Sequence, residues 1–324
     1  MARVLTLSIN PALDLSVGLT RLALGAVNRA DGVELTAAGK GVNMARVLAA
    51  LGHDVCVTGF LGSDNDAPFV GAFAAMGVED ACLRLAGSTR INTKLSERDG
   101  RVTDINAPGL AVTDGDWMRL VGVLDERIDD ATRRPEAVAI AGSLAPGVSP
   151  QALGRLVASL RERDVAVWVD TSGDALAAAI EAGASAAKPN VAELAEWTGR
   201  SLDSPAGERR AALDLYGAGV GETLVSAGDQ GVTWISHRGV WQALPPRVDV
   251  VSTVCAGDTL FAAMLHGVLE DQAPDAALRF ATALSAEAVR HVGVGDSRAD
   301  DFSTLVQDTR VRRLNDVEAG GVFA

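Results

Sequence analysis

Residues 137–171 read A-V-A-I-A-G-S-L-A-P-G-V-S-P-Q-A-L-G-R-L-V-A-S-L-R-E-R-D-V-A-V-W-V-D-T. Two short Val-rich runs, at 137–143 and 165–171, enclose a longer Ala/Leu stretch at helical period, the signature of a β-α-β unit in a parallel sheet. The pattern repeats outward. S-A-A-K-P-N (185–190), E-T-L-V-S-A-G (222–228) and V-D-V-V-S-T (248–253) read as further strands, each leading into a turn and, except after Gly228, a helix. Upstream, V-L-T-L-S-I, a helix starting near Gly41 and V-C-V-T-G-F-L (55–61) belong to the same sheet. The expectation is an α/β chain with a doubly wound, mostly parallel central sheet flanked by helices.

Two segments break the rhythm, residues 11–35 and 88–107. In the second, I-N-T-K-L-S-E and R-V-T-D-I-N flank Arg98-Asp99-Gly100, and Asp-Gly between alternating runs predicts a hairpin with positive φ at both turn positions. The excursions either pair into a small sheet standing off the main domain or are two unrelated surface hairpins. Residues 1–10, 36–87 and 108–314 would then form the α/β domain, and 315–324 a C-terminal tail.

With 324 residues the chain can build one large α/β domain with an appendage, or two ordinary ones. Aromatics at 4% are sparse, so the core must rest on Ala, Val and Leu. The net charge of -13 argues against nucleic acid or an anionic membrane as partner, so an anionic substrate would need a local cationic cluster. Cys56, Cys82 and Cys255 have neither an even count nor zinc-site spacing. With no signal-peptide pattern and no apolar stretch near the roughly 20 residues of a membrane span, the expected location is cytoplasmic. His53, His237, His266 and His291 lack ligand spacing and read as surface or core residues.

The strongest chemical signal is V-V-S-T-V-C-A-G-D-T-L-F-A-A-M-L-H-G-V-L (250–269), a small-residue turn opening an apolar helix. Free amides around Cys255, Ala256, Gly257 and Asp258 make an anion site, because the helix dipole places about half a positive charge there. Asp258 in that first turn is either a phosphoryl-transfer base or a plain N-terminal cap. A second turn, A-A-G-K-G-V-N (37–43), offers Gly39 and Gly41 for close backbone approach, Lys40 as a cation and Asn43 as an amide. In K-P-N-V-A-E (188–193), Asn190 and Glu193 share one face of a first turn. They could order the water shell of Mg²⁺, close a capping box, or do both. S-A-G-D-Q-G (226–231) is a Gly-bounded turn that could pass a nucleotide or be a simple β-turn.

In this order, N-P-A-L-D (10–14), A-G-K-G-V-N, K-P-N-V-A-E, S-A-G-D-Q-G and A-G-D (256–258) resemble the motif set of the PfkB (ribokinase-like) carbohydrate kinases. The resemblance runs from about Val4 to about residue 305 and is strongest to the branch that phosphorylates fructose 1-phosphate to fructose 1,6-bisphosphate. Branches acting on tagatose 6-phosphate or fructose 6-phosphate are the alternatives, and a non-catalytic sugar-phosphate sensor is the second.

What the resemblance implies is specific. Asp258 would be the base, and the Ala256 to Asp258 backbone would form part of the anion hole, with Cys255 beside it in the catalytic turn. Asp14, Gly39, Gly41 and Asn43 would hold sugar hydroxyls. Arg90, with Lys40 or Lys94 supporting, would meet the substrate's phosphate, and Asn92 would also contact the substrate. Lys188, Asn190, Ser226, Gly228 and Gly231 would approach ATP, with Asn190 and Glu193 ordering Mg²⁺. Residues 11–35 and 88–107 would form a β-sheet lid, often a homodimer interface.

One departure stands out: Cys255 occupies a position where the family usually has glycine. If that position needs positive φ, cysteine costs on the order of 1 kcal/mol. A thiol at a helix N-terminus is also expected to have a lowered pKa and to alkylate readily.

Overall fold

The computed structural model describes residues 1–314; the expected tail at 315–324 lies outside them. In chain order the strands are β1 (Arg3–Ser8), β2 (Ala12–Leu19), β3 (Gly32–Ala38), β4 (Asp54–Gly62), β5 (Glu79–Asp80), β6 (Leu83–Leu85), β7 (Ile91–Glu97), β8 (Val102–Ile105), β9 (Ala137–Ala141), β10 (Ala166–Asp170), β11 (Ala186–Ala187), β12 (Glu222–Ser226), β13 (Val232–Ser236), β14 (Gly239–Leu244) and β15 (Arg310–Arg313). The helices are α1 (Lys40–Ala50), α2 (Ala67–Met76), α3 (Asp114–Asp129), α4 (Pro150–Glu162), α5 (Gly173–Glu181), α6 (Val191–Thr198), α7 (Pro205–Gly217), α8 (Ala256–Leu269), α9 (Pro274–Ala288) and α10 (Phe302–Asp308).

The main sheet runs β15-β14-β13-β12-β11-β10-β9-β1-β4-β5, with β6 also on β4. From β12 to β5 all pairings are parallel, and β13 to β15 add an antiparallel edge. The chain leaves β1 toward β4 on one side and leaves β9 toward β10 on the other. The winding direction therefore reverses between β1 and β9, where open α/β sheets form their ligand crevice at the strands' C-terminal ends.

Helices cover both faces, so the central strands are apolar throughout; Val4, Leu7, Val138, Ala139, Val167 and Val169 are all fully buried. One core layer joins α1, α8 and α9 to the sheet through Leu48, Phe261, Met264 and Leu284, and the other joins α3 and α4 through Leu124 and Leu153. Trp168 of β10 meets Phe261 of α8 at a centroid distance of 5.0 Å. Each such side chain contributes about 1.5–3 kcal/mol by burial. The apolar stripe of α8 thus fixes where its N-terminus lies.

The four-stranded sheet β3-β2-β7-β8 stands apart, built from the two segments that broke the sequence rhythm. Its outer pairs are antiparallel and β2–β7 is parallel. Alternation gives it two different faces. Asp14, Ser16, Asn92, Lys94 and Asp104 share the polar face; Leu15, Val17, Val33, Leu35, Ile91 and Ile105 share the other. Strand β3 continues to Ala38, three residues past the boundary expected at 35.

Three local expectations are corrected. Residues 248–253 form no strand. The position beside β12 is taken by the β13–β14 hairpin, so the segment runs as a loop with Val250 63% and Val251 61% exposed. The Asp99-Gly100 hairpin exists, but only Gly100 has positive φ, at 89°. Glu97 N–H donates to Arg101 O and Gly100 N–H to Glu97 O, giving a three-residue loop closed by a left-handed glycine. Finally, two histidines that lack ligand spacing in sequence, His53 and His266, meet in space with ring nitrogens 2.9 Å apart.

Candidate active site

Cys255 caps α8 with φ 69° and ψ −9°, in the left-handed region, and makes no side-chain capping bond. The first α-helical bond is Thr259 N–H to Cys255 O. The amides of Ala256, Gly257 and Asp258 precede it and have no intrahelical acceptor. Asp258 follows in the same turn and is 6% exposed. Its Oδ2 accepts from Asn43 Nδ2 at 2.7 Å. Burial, reinforced by the negative charge of Asp170, holds the Asp258 carboxyl above the usual carboxylate range; Lys40, Asn43 and Lys188 oppose this only in part. A raised carboxyl takes up a proton more readily, which suits a general base.

Asn43 and Lys40 arrive on the first turn of α1. That turn starts at Gly39, whose φ is 119° and whose missing Cβ would lie 3.1 Å from Pro11 Cα. At Gly41 an added Cβ would meet Ser8 Cβ at 3.0 Å and Leu7 O at 3.1 Å, so glycine lets α1 pack directly on β1.

Lys40 Nζ lies 2.9 Å from Asp170 Oδ1 and Lys188 Nζ lies 3.4 Å from Asp170 Oδ2. The Asp170 carboxylate, fully shielded from solvent, is thus bracketed by two ammonium groups. Burial pushes its pKa up, but Lys188 and Lys40 outweigh that and hold it below the usual value. Burial likewise works against the Lys40 ammonium, yet Asp170 and Asp258 raise it to about 12. Lys188 points toward the start of α8, since a Cβ at Gly257 would stand 3.2 Å from its Nζ. Asp170 was not singled out in the sequence. Its signal was a lone carboxylate ending the apolar run V-A-V-W-V at the C-terminal edge of a parallel strand, where crevice residues lie.

Across the crevice, Lys94 Nζ lies 3.5 Å from Asp14 Oδ2 and 3.6 Å from Asp104 Oδ1. Asn92 Nδ2 donates to Asp14 Oδ1 at 3.3 Å. The charges of Asp14 and Lys94 reach the Cys255 thiol, the first raising its pKa and the second lowering it. Arg90 is placed differently. Its guanidinium donates to Pro11 O, Ala107 O and Asn10 O at 3.2, 3.0 and 2.7 Å. Of its five N–H groups, three therefore clamp the backbone of neighbouring segments.

Lys188, Asn190, Ser226 and Gly228 gather where β11 and β12 end, with Asn190 and Ser226 bridged as in a parallel ladder. Asn190 Oδ1 accepts from Glu193 N–H and Glu193 Oε2 accepts from Asn190 N–H, both at 2.9 Å: a complete capping box on α6. Glu193 Oε1 is outside that box, and the Glu193 charge reaches Lys40. Gly231 has a packing reason of its own, because a Cβ there would stand 2.0 Å from Ala243 O in the β13–β14 hairpin.

The surroundings of this thiol run against the expected reactivity. Burial, with the charges of Asp258 and Asp14, pushes the Cys255 thiol up to about 12. Loss of solvent and the nearby carboxylates oppose the helix dipole, whose effect is worth about 0.3–1 kcal/mol.

A doubly wound α/β domain, a small sheet facing its crevice, and a buried carboxylate beside unpaired helix-start amides define a sugar kinase of the ribokinase-like class. The comparisons agree. The family described as pfkB family carbohydrate kinase matches residues 10–301, and the chain belongs to it. It is 43% identical over 313 residues to a 1-phosphofructokinase of Vibrio cholerae, covering 96% of this chain and 97% of that one. Against a 1-phosphofructokinase of Escherichia coli the identity is 40% over 313 residues, covering 97% and 99%. Among solved structures, phosphofructokinase-2 from Escherichia coli in complex with fructose-6-phosphate superposes with TM-score 0.85 at 27% identity, over 95% of this chain and 99% of that one.

Proposed function

We propose that this chain transfers the γ-phosphoryl group of ATP to fructose 1-phosphate, giving fructose 1,6-bisphosphate and ADP. The observation that carries the mechanism is Asp258, buried, raised in pKa and held by Asn43 in front of the α8 amides. Its free carboxylate oxygen accepts the proton of the attacking sugar hydroxyl. The amides of Ala256, Gly257 and Asp258 then face the oxygens of the transferring phosphoryl, where charge is spread in the transition state. Lys188 adds a positive charge there, and Asp170 holds Lys188 and Lys40 at a fixed separation. The 40–43% identity to 1-phosphofructokinases over nearly the whole chain favours the fructose 1-phosphate branch.

Asp14, Asn92 and Lys94 hold the sugar from the lid side, with Gly39 and Asn43 below. The two uncommitted N–H groups of Arg90 and the Lys94 ammonium take the sugar's phosphate. On the other side Lys188, Asn190, Ser226 and Gly228 line the ATP path. Mg²⁺ fits the donors present, because Glu193 Oε1 can accept from a water of its hydration shell. Bound with ATP, the ion would neutralise charge between the phosphates.

Residues 11–35 and 88–107 act as the lid. Its outer face exposes Val33, Leu35, Ile91 and Ile105, at 61, 44, 44 and 57%, which suits pairing with the lid of a second copy. None of the described helices is long and apolar enough to cross a membrane, and we place the protein in the cytoplasm. Coupled ADP-release assays with fructose 1-phosphate, fructose 6-phosphate and tagatose 6-phosphate test the assignment. Fructose 1-phosphate should give the highest kcat/KM, and a higher value for either other sugar would reassign the substrate.

A further inference from the structure

At the opposite end of the strands, where β1 and β4 begin, three metal-ligating groups converge. His53 follows α1 and is buried; His266 lies in the last turn of α8; Glu270 caps that helix and is exposed. One ligand atom from each lies within 4.8 Å of the other two. His53 Nε2 and His266 Nδ1 are 2.9 Å apart, with ring centroids at 5.1 Å and planes at 72°. His266 and Glu270 are four apart on one helix and so share a face. The Met1 amine stands 3.3 Å from Glu270 Oε1.

We propose that His53, His266 and Glu270 form a site for one borderline divalent ion of the zinc class. Two imidazoles and one carboxylate suit zinc rather than Mg²⁺. At about 2.05 Å from each nitrogen, a tetrahedral zinc would set the two nitrogens about 3.3 Å apart, so the present gap must open by only about half an ångström. A water supplies the fourth ligand.

Without metal the same two nitrogens share a proton. His53 Nδ1 accepts from Ala2 N–H at 3.3 Å, so His53 Nε2–H donates to His266 Nδ1. Metal binding shifts the His53 proton to Nδ1 and gives up the long Ala2 contact. The other ring nitrogen of His266 also has a side-chain neighbour. Its Nε2 lies 3.2 Å from the Gln272 side-chain amide, whose oxygen can accept Nε2–H once the amide is turned over. The ion would tie together the far ends of the two helices whose near ends carry Asn43 and Asp258.

The test uses the full-length, tag-free protein, stripped with a chelator and titrated calorimetrically with Zn²⁺ in the absence of nucleotide and sugar. One ion per chain should bind and raise Tm, while Mg²⁺ at the same concentration should not. His266→Gln should weaken Zn²⁺ binding at least ~10-fold. Glu270→Gln, an exposed change that leaves the fold intact, should weaken it several-fold. Absence of stoichiometric Zn²⁺ binding by the wild type, or an affinity unchanged in either variant, would overturn the proposal.

Discussion

Replacing Asp258 with asparagine separates catalysis from stability. The amide keeps the shape of the carboxyl, and its oxygen can still accept from Asn43, but it cannot take a proton from the sugar. Loss of a general base costs about 10²- to 10⁴-fold in rate, or about 2.7–5.4 kcal/mol of barrier. Stability should move the other way. The folded pKa of Asp258 is raised above its ordinary value of 3.8, so ionising the carboxyl opposes folding. That penalty is absent below the unfolded pKa and grows as pH rises through the folded one. At neutral pH Asp258→Asn should therefore melt higher than the wild type, and the gap should narrow as pH falls toward 3.8. Coupled ADP release measures the first effect, and differential scanning calorimetry from neutral pH down toward 3.8 measures the second. More than a tenth of the wild-type rate would remove Asp258 from the role of base. A lower Tm at neutral pH would refute the account of its burial.

Lys188→Met should destabilise the fold by up to about 3–5 kcal/mol, because it strips one of two cations from a buried carboxylate. Asp170, held below 3.8 in the folded protein, contributes stability above that pH and loses it as pH falls, so the acid-unfolding midpoint should move to higher pH; a midpoint that stays put would contradict the ion triad. Arg90→Ala should raise KM for the sugar phosphate more than KM for ATP, by about 1.5–3 kcal/mol, and should also lower Tm through the three lost carbonyl contacts. Equal effects on both KM values with unchanged Tm would count against both roles. Cys255 should react with iodoacetamide no faster than an unstructured thiol at neutral pH, as peptide mapping will show, and Cys255→Gly should keep activity because the backbone amides remain. Rapid, selective modification of Cys255 would mean that the helix dipole governs the thiol after all.

Much of this architecture was legible because its causes are local. Val-rich runs spaced by helical periods gave the α/β core, and small-residue turns gave the starts of α1, α6 and α8, with Lys40, Asn43, Asn190 and Asp258 in place. What escaped depended on partners far away in sequence. Val248–Thr253 has the composition of a strand but no free sheet position to join. Asp170 looked like the end of one more apolar strand, and only folding sets Lys40, 130 positions away, and Lys188 around it. For the Cys255 thiol, a helix start is visible in sequence, whereas the burial that most raises it, and Asp14 from another sheet, are not. His53 and His266, 213 positions apart, meet only because α1 and α8 end side by side.

The clamp at Arg90 has a mechanical consequence. The chain passes between the main sheet and the four-stranded sheet near residues 10, 39, 90 and 107. Carbonyls from the first and last of these passages meet on the guanidinium carried by the third. At the remaining one, Gly39 is pressed against Pro11. The four crossings are thus tied to one another at one point rather than left as separate lengths of chain. Were the four-stranded sheet to close over substrate as proposed, a base already ordered would leave fewer torsions to fix, and each residue spared is worth about 1–2 kcal/mol of conformational entropy. Substrate attraction not consumed in that ordering would remain available to bring the two phosphate-bearing molecules into line.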